Sequence, residues 1–331
     1  MGPTDATATR SANRSGTATG TLTGTPSDAI PAAVQATLDR LGPLLPDAVA
    51  AARRALASQL GLVGRSVWPE VAWRFSRLTN TGLPLEFAWS SRETALRYTV
   101  EVAPPEAPDA ERLPLAARQL GWPHDPWPAL APWLALQQEQ TLRFGAWLGA
   151  RFSSAGPATK LYVDLPPGAA LPAALPEAQP WLRSPSLHWR MAGINADRSL
   201  ELYAQSADLD RGRLLDLGQG LFGTPVPGAT LSRHLDLLCG GQDLPRPSGL
   251  SVVFDGELRP RALTWFCFAK AVFRDDAQVR QTLLGAVGGA PAAVYAALAD
   301  GPADGRWRHG MVGAGVDAGG SGWLQCGLRP T

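Results

Sequence analysis

If the segment Lys160-Leu161-Tyr162-Val163-Asp164-Leu165 is extended, Lys160, Tyr162 and Asp164 share one face and Leu161, Val163 and Leu165 the other. An ordinary surface strand alternates in the same way, but its wet face is a mixture of Thr, Ser and Glu. Here that face carries a cation and a phenol. Leu200-Glu201-Leu202-Tyr203-Ala204-Gln205 repeats the pattern with Glu201, Tyr203 and Gln205 together, and Leu96 to Val102 repeats it with Arg97, Thr99 and Glu101. An arginine fork, a lysine point charge and tyrosine hydroxyls are donors to anionic oxygens. Brought together from neighbouring strands, they can grip a diphosphate. That requires the polar faces to converge on an enclosed space, with the apolar faces turned outward under helices.

The elements that must position these residues follow from periodicity and breakers. Helices are predicted from about Ser27 to Leu60, with Ser27-Asp28 as N-cap and an interruption at Pro43 and Pro46. The next are expected at Trp68–Leu78, Leu113–Leu120 and Pro128–Arg151. Further helices are expected at Leu209–Leu217, Thr230–Leu238, Asp276–Ala286 and Pro291–Ala299, and partly within Pro166–Pro180. Hairpins are predicted from Leu85–Ser90 with Ala95–Val102, Leu187–Ile194 with Ser199–Gln205, and Leu250–Phe254 with Ala262–Ala271. Lys160–Leu165 is a further strand, and the last two lie near Trp307–Gly313 and Gly322–Leu328. Pairs of helices thus alternate with pairs of antiparallel strands. Short strand connections argue against a parallel doubly wound sheet. About ten strands hide their edges most simply by closure. The fold class expected is α+β, a closed antiparallel barrel of about ten strands surrounded by helices. Residues 1–26 (Thr, Ala, Gly and Ser) form a disordered tail, and residues 27–331 form a single domain.

Composition narrows the function. The chain has 331 residues, 45% hydrophobic and 18% charged, with net charge +1. That describes a globular core without a basic field for nucleic acid. No apolar run reaches the ~20 residues a membrane helix needs, and the tail lacks the apolar stretch of a signal peptide. Cys239, Cys267 and Cys326 form no zinc or disulfide pattern, which favours buried thiols and a cytoplasmic setting. His124, His188, His234 and His309 have no ligand spacing. Asp275-Asp276 is not a DDxxD cluster, and Gly313-Ala314-Gly315 is not a dinucleotide fingerprint. No metal site is expected.

The ααββ cycle with Lys-x-Tyr on an interior face resembles the ABBA-type aromatic prenyltransferases, the PT-barrel family. It is most similar to the branch of the indole (dimethylallyltryptophan-synthase-like) and cyanobactin peptide enzymes. The resemblance runs from about Ser27 to Thr331 and is carried by Pro84-Leu85-Glu86-Phe87-Ala88-Trp89-Ser90, Arg97, Lys160-x-Tyr162 and Leu200-Glu201-Leu202-Tyr203. An acid at Glu201, where fungal indole enzymes usually have Lys, leans toward the peptide branch.

The resemblance implies transfer of a dimethylallyl or geranyl group from its diphosphate to a peptide side chain, an indole or a phenol. Glu86 is then the group acting on the acceptor N–H or O–H, and Arg97, Lys160, Tyr162 and Tyr203 hold the diphosphate. Lys270 is a supplementary cation. Phe266, Phe268 and Trp323 are candidates to shield the cation or line the acceptor space, with His188, Arg190 and Glu201 beside them. The plainer alternatives are a surface carboxylate at Glu86, solvated charges at Arg97 and Lys160, sheet packing for the tyrosines and core packing for Phe266, Phe268 and Trp323. No tightly bound cofactor is implied, and Mg2+ assists diphosphate binding in some members. The partners expected are dimethylallyl diphosphate and a peptide or small aromatic acceptor, with no nucleic acid, no membrane and a monomeric chain. Only Tyr98, Tyr162, Tyr203 and Tyr295 are present, fewer than the family often uses. A barrel that binds a small ligand without turnover is therefore the alternative.

Overall fold

The structure, a computed structural model, describes residues 30–63, 76, 78, 82–138, 140–175, 179–301, 305 and 307–331. The predicted tail, the Ser27-Asp28 cap and most of the Trp68–Leu78 stretch lie outside them. Ten strands close into one antiparallel barrel. They are β1 (Leu85–Ser90), β2 (Leu96–Glu101), β3 (Ala146–Ser153), β4 (Gly156–Asp164), β5 (His188–Asn195), β6 (Leu200–Ser206), β7 (Ser248–Phe254), β8 (Pro260–Phe268), β9 (His309–Asp317) and β10 (Gly322–Leu328). Each strand pairs with its sequence neighbours, and β1 pairs with β10 to close the ring.

Eight α-helices among the described residues sit between hairpins. α1 (Ala32–Leu41) and α2 (Pro46–Val63) precede β1, while α3 (Asp109–Ala117) and α4 (Trp127–Gln137) link β2 to β3. α5 (Arg211–Phe222) and α6 (Val226–Cys239) link β6 to β7, and α7 (Asp276–Ala286) and α8 (Gly289–Ala299) link β8 to β9. Between β4 and β5 there is a 3₁₀ turn, Pro180–Arg183.

Strict alternation decides which face is dry. Leu85, Phe87 and Trp89 of β1, Leu96, Tyr98 and Val100 of β2, and Leu161 and Val163 of β4 are all at most 2% exposed. They point outward into the layer under the helices, where α2 lies over β2 and β3 and α6 over β9 and β10. At roughly 25 cal/mol per Å² of apolar surface removed from water, this sleeve is the main source of stability. Of the inward residues, Glu86, Arg97, Lys160, Tyr162, Glu201 and Tyr203 remain partly accessible from the lumen.

One expected element is corrected. The helix predicted over Pro128–Arg151 ends at Gln137, and residues 146–153 form β3. Gly145 makes the break. Its φ is +70°, and a Cβ there would lie 2.0 Å from the Asp109 carbonyl oxygen. Only glycine fits that turn comfortably. Cys239, Cys267 and Cys326 are buried and form no disulfide. Among the described residues no helix is long and apolar enough to cross a membrane.

Candidate active site

The lumen is a cavity of about 1850 Å³ lined by inward residues of the barrel. Lys160 of β4 sits in it beside Glu201 of β6, and β5 runs between them. The chain crosses that gap because β5 offers Gly193. A Cβ on this glycine would lie 2.2 Å from the Lys160 Cε. Lys160 Nζ donates to the Glu201 carboxylate and, at 3.2 Å, to the Tyr203 hydroxyl oxygen. Ser251 Oγ donates to the other Glu201 oxygen at 2.6 Å. Burial works against both charges, but their mutual attraction prevails. The Lys160 pKa is raised and the Glu201 pKa lowered, so both stay ionised. Burial, reinforced by the Glu201 charge, drives the Tyr203 pKa well up and keeps its hydroxyl protonated.

Lys160 Nζ also lies 5.2 Å from the Tyr162 ring centre and 5.4 Å from that of Tyr203. These are cation–π distances. The aromatic wall continues from Tyr162 to Tyr203 (6.0 Å between ring centres, edge on) and from Tyr203 to Phe266 (6.2 Å). It is built by alternation around the ring. β4, β6 and β8 contribute the rings, while β3, β5 and β7 contribute Gly149, Gly193 and Gly249. A Cβ at Gly249 would fall 2.1 Å from the Phe266 ring, and one at Gly149 2.8 Å from the Tyr162 ring.

Arg97 and Arg151 also line the cavity, and Glu93 from the turn after β1 reaches both. Arg97 Nε donates to Glu93 at 3.1 Å with a second guanidinium nitrogen on the same oxygen, and Arg151 lies 3.7 Å from the other oxygen. At the level of the cations, carboxylates therefore stand where anionic oxygens of a ligand would bind.

Glu86 of β1 is treated differently. Its carboxyl lies over two glycines, with Oε1 2.8 Å from the Cβ position of Gly310 and 2.6 Å from that of Gly327. It has no hydrogen bond or ion pair among the described residues. Burial alone raises its pKa to about 7. A carboxyl that is half ionised near neutrality and faces a cavity is suited to take a proton.

The other sequence candidates divide: Arg190, Phe268 and Lys270 line the same cavity, while His188 and Trp323 lie outside its wall. Arg190 lines the cavity and donates to the Gln205 side-chain oxygen at 2.6 Å, with no ion pair among the described residues. Burial and the neighbouring Arg143 lower its pKa. Lys270 is exposed on the 3₁₀ turn after β8, with its Nζ 5.9 Å from the Trp307 ring. No bond or ring contact among the described residues joins it to Lys160, Tyr162 or Tyr203. Phe268 is 64% exposed at the rim rather than a closed wall. His188 is exposed and does not line the cavity. Trp323 is 6% exposed, covered by the Arg92 guanidinium at 4.7 Å, and lies outside the cavity wall. Asp164, on the same strand face as Lys160, is bound by Arg143 instead.

Sequence reasoning passed over Glu93, Arg151, the lumen glycines and Trp147, which stacks on Phe144 at 3.7 Å. The helical spacing runs on through Trp147 and Arg151, and the signal that places them on a strand is the Gly145 break. Among the described residues no group of three His, Cys, Asp or Glu is placed to hold a metal ion. Glu201, the carboxylate in the middle of the polar cluster, is taken up by Lys160 and Ser251.

No protein-family model matches the sequence, and a comparison with curated proteins gives no match. Solved structures do match. A 5-dimethylallyl tryptophan synthase from Streptomyces coelicolor, in complex with DMASPP and Trp, superposes with a TM-score of 0.67 over 90% of this chain and 94% of that one, at 18% identity. A 6-dimethylallyltryptophan synthase from Micromonospora olivasterospora, also with DMASPP and Trp, gives 0.70 over 90% and 96%, at 18% identity. The fold is that of the ABBA prenyltransferases. AnaPT from Neosartorya fischeri shares this PT barrel with a TM-score of 0.61 over 90% and 92% of the two chains, at 11% identity. The PT barrel accounts for the lumen as a place where inward polar residues meet out of bulk water.

Proposed function

We propose that this chain is a prenyltransferase that moves a dimethylallyl group from its diphosphate to an electron-rich aromatic acceptor within the barrel. The observation that carries this reading is the sharing of one cavity by two unlike sites: the Arg97, Lys160, Tyr162 and Tyr203 group, and the lone carboxyl of Glu86. In the reaction, the allylic C–O bond breaks and its electron pair leaves with the diphosphate. Arg97 and Lys160 and the hydroxyls of Tyr162 and Tyr203 receive that developing charge as fixed donors. The Tyr162, Tyr203 and Phe266 faces shelter the allylic cation from water and stabilise it by about 1–2 kcal/mol per ring when desolvated. A ring carbon of the acceptor supplies the electron pair for the new C–C bond. Glu86 accepts the hydrogen bond of the acceptor N–H or O–H, and the same carboxylate takes the proton released on rearomatisation.

The structural neighbours crystallised with DMASPP and Trp make an indole amino acid the first acceptor to test. Arg190, a lumen cation without an ion pair among the described residues, suits the carboxylate of such an acceptor. A peptide acceptor is supported by the cavity itself, since 1850 Å³ exceeds the ~300–1,000 Å³ of ordinary small-molecule pockets. Mg2+ belongs to the proposal only as an aid to diphosphate binding, and assays with and without EDTA test that part.

Incubation with dimethylallyl diphosphate and a panel of tryptophan, tyrosine and cyclic peptides, read by mass spectrometry, tests the function. An alkylated product is expected. No product with any acceptor, and no thermal shift with a thiolodiphosphate analogue, would refute it. The ligand-binding alternative is favoured by one feature: at the donor level Arg97 and Lys160 already have carboxylate partners. Analogue binding without turnover on any acceptor would favour that reading.

A further inference from the structure

Close to the niche of Glu86 lies a set of titratable side chains, two of them buried and Asp276 partly exposed, for which the proposed chemistry has no role. Asp276 at the start of α7 accepts the backbone N–H of Arg308 at 2.8 Å and that of His309 at 3.1 Å. Its Oδ1 is also 2.6 Å from His309 Nδ1. The other imidazole nitrogen, Nε2, is 2.8 Å from the Tyr295 hydroxyl of α8. His309 Nδ1–H donating to the carboxylate, with Nε2 accepting from Tyr295, satisfies both contacts with a neutral ring. Tyr295 is fully buried and His309 is 2% exposed.

These residues hold a defect in the sheet. β9 and β10 pair in register through Cys326 and Val312, but Leu328 then pairs with His309, so β9 carries an extra residue there. The bulge lies at Gly310 and Met311, opposite Gly327, and Gly310 and Gly327 are the floor under the Glu86 carboxyl. Bulges commonly re-aim side chains next to active sites. The same cluster also holds the strand that bears Glu86. The Tyr295 ring lies 4.7 Å from Trp89 of β1, and Trp89 Nε1 donates to the Pro291 carbonyl of α8 at 2.9 Å. Both walls of the niche are therefore tied to one hydrogen-bonded chain.

We propose that Asp276, His309 and Tyr295 are positioning residues for Glu86, setting the place of its carboxyl by fixing the bulge of β9 against β1. The proposal rests on the reading of Glu86 as the group that acts on the acceptor. Of the ionisable groups around these residues, Cys326 of β10 lies near enough to Glu86 for the carboxyl to push its pKa up beyond the effect of burial. Cys326, Arg280 and Asp276 face Tyr295.

The test follows the Glu86 side-chain carboxyl by carbon-13 NMR across pH in the full chain, with Glu86→Gln to assign the signal. His309→Ala should lower its titration midpoint by about one unit as the bulge relaxes and water reaches the carboxyl. Tyr295→Phe should move it less and in the same direction, and His309→Asn, which keeps a donor toward Asp276, should restore part of the shift. Inorganic pyrophosphate affinity should stay within about twofold, while the rate of acceptor alkylation falls about ten- to a hundredfold without a change in donor KM.

A Glu86 titration unmoved in folded His309→Ala would overturn the proposal and leave these residues a purely structural role. Should that variant fail to fold, Tyr295→Phe and Gly310→Ala decide, because an alanine methyl must push the carboxyl from its place. An unmoved midpoint in both would again overturn it. If the wild-type protein alkylates no acceptor, the function proposed above fails, yet the NMR midpoints still answer this question.

Discussion

Lys160 and Glu86 occupy one cavity and are handled in opposite ways. Lys160 is given a carboxylate, a phenol oxygen and two ring faces, and its charge is locked in. Glu86 is given glycine and no partner among the described residues, and its charge is left undecided near pH 7. Burial is common to both. The difference lies in the counter-charge, which decides whether a buried ionisable group becomes a fixed electrostatic fixture or a proton acceptor. The first suits a leaving group whose charge must be met without reorganisation. The second suits an acceptor that must lose a proton.

Replacing each group breaks the comparison in its own way. Glu86→Gln should slow acceptor alkylation by about 10²–10⁴-fold while leaving thiolodiphosphate affinity unchanged, as a lost general base does. Steady-state kinetics alongside calorimetric titration would show it, and a parallel loss of donor affinity would contradict the division of labour. Lys160→Met should do the reverse. It should remove donor binding and destabilise the fold by about 3–5 kcal/mol, because Glu201 is left buried without its cation. In urea unfolding, the double variant Lys160→Met with Glu201→Met should recover most of that loss without recovering donor binding.

The pH dependence sharpens the contrast. The Glu86 pKa is raised in the folded state, so its contribution to stability is fully present below the ordinary carboxyl range near 4.5 and is lost as pH climbs through about 7. The wild-type protein should therefore lose on the order of 2–3 kcal/mol relative to Glu86→Gln across that window, by the linkage of pKa to stability. Over the same window alkylation should rise, since the ionised form is the base. Equal pH dependence of the two proteins would remove Glu86 as the titrating group. The smallest effect expected is at Gly193→Ala. Its methyl must displace the Lys160 stem, costing about 1–3 kcal/mol in stability, measured by thermal unfolding, and weakening donor binding with it.

Much of this was legible in the alternation of polar and apolar residues. The inward parity of Lys160, Tyr162, Glu201 and Tyr203 is a local property, and the cavity confirms it. The hairpins around residues 91–95, 196–199 and 255–259 were marked by their turn residues. β3 was not legible, because Trp133, Leu136, Leu142, Phe144 and Trp147 continue a helical spacing past the point where Gly145 turns the chain. The lumen glycines gave no signal because a residue without a side chain has no parity to read. What no local pattern contains is the pairing of residues far apart in sequence. Lys160 and Glu201 are 41 positions apart, and only the register through β5 makes them neighbours. His309 and Asp276, without ligand or catalytic spacing, offered nothing until the structure placed them at the bulge whose Gly310 lies under Glu86.

The seam between β1 and β10 has a consequence for how the molecule comes into being. Nine of its ten strand junctions join neighbours along the chain, and this one joins the first strand to the last. During translation β1 must wait with one edge unsatisfied until β10 has left the ribosome. A nascent chain of this kind is exposed to edge-to-edge association for most of its synthesis, and a chaperone that shields β1 would raise its yield more than one acting on any later hairpin.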